Sequence, residues 1–108
     1  MKAGTKPLKS RRKSTPARRE AEGEACLVRV PGHCNGRTDT TVLAHYRLDT
    51  GGGQKPDDEQ GAHACSACHD VVDFRVKAPE FTRDTIRLMH AEGCLRTQQL
   101  RRDRLNGA

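Results

Sequence analysis

Apolar residues fall in short, separated runs along this chain. Leu27, Val28 and Val30 precede Pro31-Gly32, a pattern that predicts a short strand closed by a tight turn. The run Thr40-Thr41-Val42-Leu43-Ala44 is rich in β-branched side chains and predicts a second strand ending at His45. From Tyr46 an 18-residue polar stretch containing Gly51-Gly52-Gly53 leads to Ala64. A loop that long inside a small domain is usually functional or disordered. Val71, Val72 and Phe74, flanked by polar residues, predict a helix that begins at a Cys-x-x-Cys pair and stops before Pro79. Phe81, Ile86, Leu88 and Met89 predict an amphipathic helix over 79–92, with Pro79 at its start and Gly93 as its stop. A second helix is expected over 95–105.

Composition changes this picture in one respect. Leu, Ile, Val and Phe number 17 of 108 residues. That is about 16%, below the roughly 20% under which chains begin to look disordered. The length fits one small domain with tails, yet an apolar core alone is a poor candidate for what folds it. The formal net charge of +6 is concentrated at one end: residues 1–19 carry eight basic and no acidic side chains, leaving −2 for the remainder. Residues 1–22 therefore read as a flexible, disordered basic arm attracted to a polyanion, with nucleic acid the leading candidate. An inert solubilising leader is the bland alternative. Arg96, Arg101, Arg102 and Arg104 form a second basic cluster, either a solvated helix face or a DNA contact. No stretch approaches the roughly 18 apolar residues of a membrane span, and no apolar segment follows the basic N-terminus. The expected setting is cytoplasmic, with no membrane partner.

In a reducing compartment cysteines bind metal more readily than they pair. Cys26 and Cys34 flank the Pro31-Gly32 turn, and Cys65-Ser66-Ala67-Cys68 has the spacing that suits one tetrahedral ion. Four thiolates gathered this way make a structural zinc site, which contributes on the order of 10–16 kcal/mol to folding. That compensates for a thin core. Disulfides would require export. A thioredoxin-like pair would need a strand in place of the glycine-rich loop, and c-type haem attachment at Cys65–His69 would leave Cys26 and Cys34 without a purpose. Cys94 reads as a small buried apolar residue.

On a helix, His69 and Asp73 stand at i and i+4 and share a face, where they can hold one divalent cation or simply pair with each other. The order is then a strand with zinc thiolates, a strand ending in His45, a loop, a zinc knuckle and a helix carrying His69 and Asp73. This is a small α+β fold: a zinc-stapled ββα unit over 23–78, C-terminal helices over 79–108 and the arm over 1–22.

The chain resembles the HNH, or His-Me finger, nucleases, and within them the phage and prophage YbcO and Ref-like family. The residues carrying the likeness are Cys26, Val28-Arg29-Val30-Pro31-Gly32, Cys34-Asn35-Gly36, Val42-Leu43-Ala44-His45, Arg47, Lys55-Pro56, Asp58, Ala64-Cys65-Ser66-Ala67-Cys68-His69-Asp70, Asp73 and Arg75, spanning about half the chain. The resemblance implies a metal-dependent endonuclease hydrolysing DNA phosphodiester bonds in phage recombination or DNA processing, within a bacterial host cell. It makes His45 the general base, and His69 and Asp73 the ligands of a catalytic Mg²⁺ or Mn²⁺. Arg47 and Lys55 would add positive charge at the scissile phosphate. The sequence departs from the family pattern at two positions. Ala44 stands where many relatives place a further ligand, so Asp49 is a candidate substitute. The asparagine that orients the base is replaced, by position, by Asp58, with Asp57 its rival. His33, His63 and His90 are not expected to be ligands. DNA is the expected partner, through the arm and the active-site loop, with a host recombination protein a second candidate. The competing reading is a non-catalytic zinc module that binds DNA or a recombination protein.

Overall fold

The computed structural model describes residues 15–48 and 58–107. Most of the basic arm, Asp49, the Gly51–Gly53 triplet, Lys55 and Asp57 lie outside the described residues. The elements are helix α1 (Pro16–Ala21), strand β1 (Val42–His45), a 3-10 turn (Asp58–Gln60), strand β2 (Gly61–Ala64), helix α2 (Ser66–Val72) and helix α3 (Arg83–Leu105). β1 and β2 pair antiparallel in the register Val42↔Ala64, Leu43↔His63, Ala44↔Ala62 and His45↔Gly61. β1, β2 and α2 thus follow one another as a ββα succession, but its strands are not the two expected.

Leu27, Val28 and Val30 form no strand. Their alternation is real, since Val28 and Val30 are buried and Arg29 is exposed. It is satisfied by a bend in which Arg29 takes a positive φ of 55°. The amides of Arg29 and Val30 bond to cysteine sulfurs, at 3.4 and 3.3 Å, instead of a strand partner. Leu27 reaches the sheet through its backbone, its N–H bonding to the His63 carbonyl at 2.7 Å. The second strand comes from the end of the polar stretch. Gly61-Ala62-His63-Ala64 has weak strand propensity, yet all four residues are buried because β1 and α3 enclose them. His63, expected in a loop, is therefore a core strand residue with no exposed surface.

Two neighbouring strands and short helices hold little apolar area, and α3 supplies the missing layer. It begins at Thr82, whose hydroxyl accepts the Thr85 N–H at 3.1 Å, and runs unbroken to Leu105. The two C-terminal helices expected from Gly93 are thus one. Gly93 does not stop the helix; it lets the helix approach. A Cβ there would lie 2.7 Å from Val28 Cγ2 and 3.2 Å from Ala62 Cβ. Around this contact the core gathers Val28, Val30, Ala44, Ala62, Val71, Ile86 and Cys94 together with Cys26, Cys65 and Cys68. α2 ends earlier than expected, at Val72. Phe74 lies beyond the helix at a φ of 59° and is 40% exposed.

The flexible arm read over 1–22 is also corrected at its end, because residues 16–21 are helical. Thr15 caps α1 and Pro16 opens it. Ala21 is fully buried, and α3 clamps the helix and its exit: Arg101 Nε meets Glu20 Oε1 at 2.9 Å, and Arg104 pairs with both Glu24 carboxylate oxygens. No described helix is long and apolar enough to cross a membrane.

Two consequences can be measured. Gly93→Ala should improve helix propensity yet lower stability by about 1–2 kcal/mol, because the new methyl overpacks the contact. Val28→Ala should relieve that loss in a double-mutant cycle read by thermal or urea melts, and additive effects would refute the contact. His63 provides the second. Burial holds its imidazole below the ordinary value, partly opposed by the Glu20 carboxylate. The unfolded chain then takes up this proton near pH ~6.5 before the folded chain does. The stability it represents is present above that pH and declines as pH falls below it. Urea titrations between about pH 6.5 and 5.5 should give a shallower slope for His63→Leu than for the parent.

Candidate functional site

The cysteine pairs converge. Each of Cys26, Cys34, Cys65 and Cys68 offers a sulfur, and all four lie within 4.8 Å of one another. Cys34 and Cys65 Sγ are 3.9 Å apart. A tetrahedral ion with Zn–S bonds of ~2.3 Å needs sulfurs about 3.8 Å apart, so the cluster already has nearly the required size. Its surroundings also fit. Besides the Arg29 and Val30 amides, the Cys68 N–H points at Cys65 Sγ at 3.4 Å, at the start of α2. Backbone donors aimed at sulfur favour thiolates over thiols. Without an ion, hydrogen bonding from Cys68 pulls Cys26 down to about 4, while Cys68, holding the shared proton, is pushed up. Burial raises Cys34 as well. The cluster can hold a metal ion such as zinc with all four positions filled by protein. Cys94 stands apart, buried, its thiol raised to about 11 and directed at the Gln60 carbonyl.

The ββα succession places the histidines. β1 ends at His45 opposite Gly61, and the 3-10 turn just before β2 carries Asp58 back to the same point. His45 Nε2 and Asp58 Oδ1 lie 2.8 Å apart. Hydrogen bonds from His45 and then the Thr15 hydroxyl, with Arg18 nearby, hold Asp58 below the ordinary carboxylate range. An ionised carboxylate only accepts, so Nε2 is the donor in this pair, and in a neutral ring Nδ1 is then the acceptor. On α2 and its C-cap, His69 Nε2 and Asp73 Oδ2 lie 3.0 Å apart, the i, i+4 proximity expected from the sequence.

His45 of the first pair and both members of the second line a cleft of about 650 Å³, together with five arginines: Arg18, Arg47, Arg75, Arg83 and Arg87. Arg75 is engaged by Asp70 and Asp73 at 3.6 and 3.4 Å. Arg83 stacks on the Phe74 ring at 4.4 Å and Arg87 on the Tyr46 ring at 4.5 Å. The expected ligand position at Ala44 is fully buried in the core, with its carbonyl bonded to His90 Nε2 at 2.9 Å. His33 pairs with Glu80 at 2.7 Å. Asp49, Lys55 and Asp57, named as site candidates, fall outside the described residues. Three cleft residues escaped the sequence reading. Arg18 was hidden in the basic arm, while Arg83 and Arg87 carried only the weak signal of i, i+4 arginines at a helix start.

A family profile described as "Putative nuclease YbcO" matches residues 15–105. Two curated relatives, "Putative nuclease YbcO" of Escherichia coli (strain K12) and "Putative nuclease ybcO" of Enterobacteria phage 82, are each 53% identical over 60 residues. That segment is 54% of this chain and 62% of either relative, so the chain spans less than two thirds of their length. A solved structure of "a putative bacteriophage protein" from Escherichia coli str. K-12 substr. MG1655 is similar at a TM-score of 0.64 and 41% identity, covering 77% of this chain and 91% of that one.

The sulfur geometry generates a direct measurement. Protein purified without chelator should carry about one zinc per chain by metal analysis, and Cys65→Ser should lose it together with a large part of the thermal stability. A zinc-free parent with the same melting temperature would contradict this.

Proposed function

The chain belongs to the family described as "Putative nuclease YbcO", and from that membership and the cleft we propose that it is an HNH-type endonuclease hydrolysing DNA phosphodiester bonds with a divalent cation. One observation carries this reading. A histidine held by a carboxylate and a second histidine–carboxylate pair border the same arginine-lined cleft, in one ββα succession.

Hydrolysis needs a base for water, positive charge for the phosphate and a way to release the leaving oxygen. His45 supplies the base. With Nε2–H donated to Asp58, Nδ1 can take a proton from water, and the Asp58 carboxylate stabilises the imidazolium that results. An imidazole is the side chain suited to such a transfer near neutral pH. His69 and Asp73 would hold Mg²⁺ or Mn²⁺. Their 3.0 Å separation is short enough for both to hold one ion. When bound, the cation supplies Lewis-acid stabilisation of the phosphate and the leaving oxygen. Water and phosphate oxygens would complete its shell, since Ala44 offers none. Arg47 and Lys55 add charge at the scissile phosphate. In this reading residues 23–78 carry the chemistry, the thiolate-held zinc is structural, and the basic residues of 1–22 raise DNA affinity during phage recombination or DNA processing. α1 belongs to both parts, because it brings Thr15 to Asp58 and Arg18 to the cleft.

A second reading, a zinc module that binds DNA without cutting it, draws on Asp73 being already engaged by His69 and Arg75. One assay separates the two. Plasmid, linear duplex and single-stranded DNA should be cleaved with Mg²⁺ or Mn²⁺ and spared with EDTA. His45→Ala should lower the rate by about 10²- to 10⁴-fold, the contribution typical of a positioned general base. His69→Ala should remove a second, weaker cation site while leaving the zinc. Cleavage by His45→Ala at the parent rate would sink the assigned mechanism.

A further inference from the structure

Five of the described arginines have a carboxylate partner within ion-pair distance. Arg37 pairs with Asp39, Arg75 with Asp70 and Asp73, Arg96 with Glu92, Arg101 with Glu20 and Arg104 with Glu20 and Glu24. Arg83 and Arg87 differ. Among the described residues neither has a carboxylate within 4.0 Å. Each instead has its guanidinium carbon over an aromatic ring, Phe74 for Arg83 and Tyr46 for Arg87, and Arg87 Nη2 is further fixed by the Arg47 carbonyl at 2.9 Å. They stand at i and i+4 on the first turns of α3, and both line the cleft shared with His45 and His69.

A ring under a guanidinium holds it without neutralising its charge and leaves edge donors for an anion, save the Nη2 donor that Arg87 gives to Arg47. Two such groups side by side match the paired oxygens of a phosphate. The ring faces that carry the guanidiniums are unavailable to a base, so these aromatics act as supports for cations and not as a base-stacking platform.

We propose that Arg83 and Arg87 form a phosphate-binding subsite for the substrate's backbone, flanking the bond that is cut and independent of base sequence. It rests on the nuclease reading in taking nucleic acid as the ligand. A polynucleotide presents phosphates in succession, and a cleft of about 650 Å³ has room for more than the scissile group. The cation and His45 serve that group, while the stacked arginines hold its neighbour and set the register of the chain in the cleft. Contacts of this kind position a substrate and carry no base information.

The test is fluorescence anisotropy with two labelled DNA oligonucleotides of unrelated sequence, each titrated over a range of salt. His45→Ala serves as the parent, so that cleavage cannot interfere. Adding Arg83→Gln and Arg87→Gln should weaken binding about tenfold on both sequences and reduce the salt slope by about 1. A lysine pair at the same positions, R83K with R87K, should keep the salt slope but recover only part of the affinity, because ammonium groups neither stack nor fork. Arg102→Gln, an exposed arginine bonded to Gln99 near the end of α3, should change little. Zinc content and melting temperature confirm that each variant is folded, and the lysine pair decides the matter if the glutamine pair is not. An unchanged slope, a loss confined to one sequence, or an equal loss in Arg102→Gln would overturn the subsite. Failure of the nuclease reading shows separately, as no cleavage by the unsubstituted protein, and leaves these binding outcomes to stand or fall by themselves.

Discussion

Four sulfur atoms set the frame on which the other elements depend. Cys26 and Cys34 sit in an irregular loop, while Cys65 caps α2 and Cys68 lies in its first turn. Drawing them within 4.8 Å ties the loop to the helix that carries His69. With few large apolar side chains, the chain has little else to fix that relationship. The local backbone follows from it. Arg29 adopts a left-handed conformation, and the Arg29 and Val30 amides serve sulfur where a strand would have served a neighbour. Val28 is then left in place for Gly93 to pass against, so the same loop sets how closely α3 crosses the sheet.

Charge is organised by pairing as much as by number. Beyond the basic arm the sequence is close to neutral, which suggests that polyanion affinity resides in the arm. The fold divides the charges differently. Acidic residues are spent on structural arginines, as where Glu20 and Glu24 dock α1 against α3. Arg83 and Arg87 are left on aromatic supports inside the cleft. A domain without net positive charge can thereby present a locally cationic concavity, where field lines focus more strongly than over an open surface. In the proposed function the arm and the cleft have separable tasks, one at long range and one at contact.

Several site features were legible because they depend on short-range spacing. A Cys-x-x-Cys pair needs only the geometry of a helix start, and His69 with Asp73 needs one helical turn. The His45–Asp58 contact was named by position in a family pattern, and a 13-residue separation closes to 2.8 Å in the fold. The strands were read less well. The pattern placed one over Leu27–Val30, where burial alternates for another reason. It passed over Gly61–Ala64, whose small residues have no strand preference of their own and are extended because β1 and α3 enclose them.

The sequence by itself determined the sulfurs that can hold a metal, the order of the histidines and carboxylates, and the scarcity of apolar residues. All of these are properties of residue type and near-neighbour spacing. Tertiary structure alone decided that Gly93 is a crossing point within a continuous α3, that His63 is a core residue, that α1 is docked, and which arginines face the cleft. Each of these depends on what lies opposite across a packed interface. A glycine reads as a helix stop until a valine is seen against it, and an arginine reads as solvated until its partner proves to be a ring instead of a carboxylate.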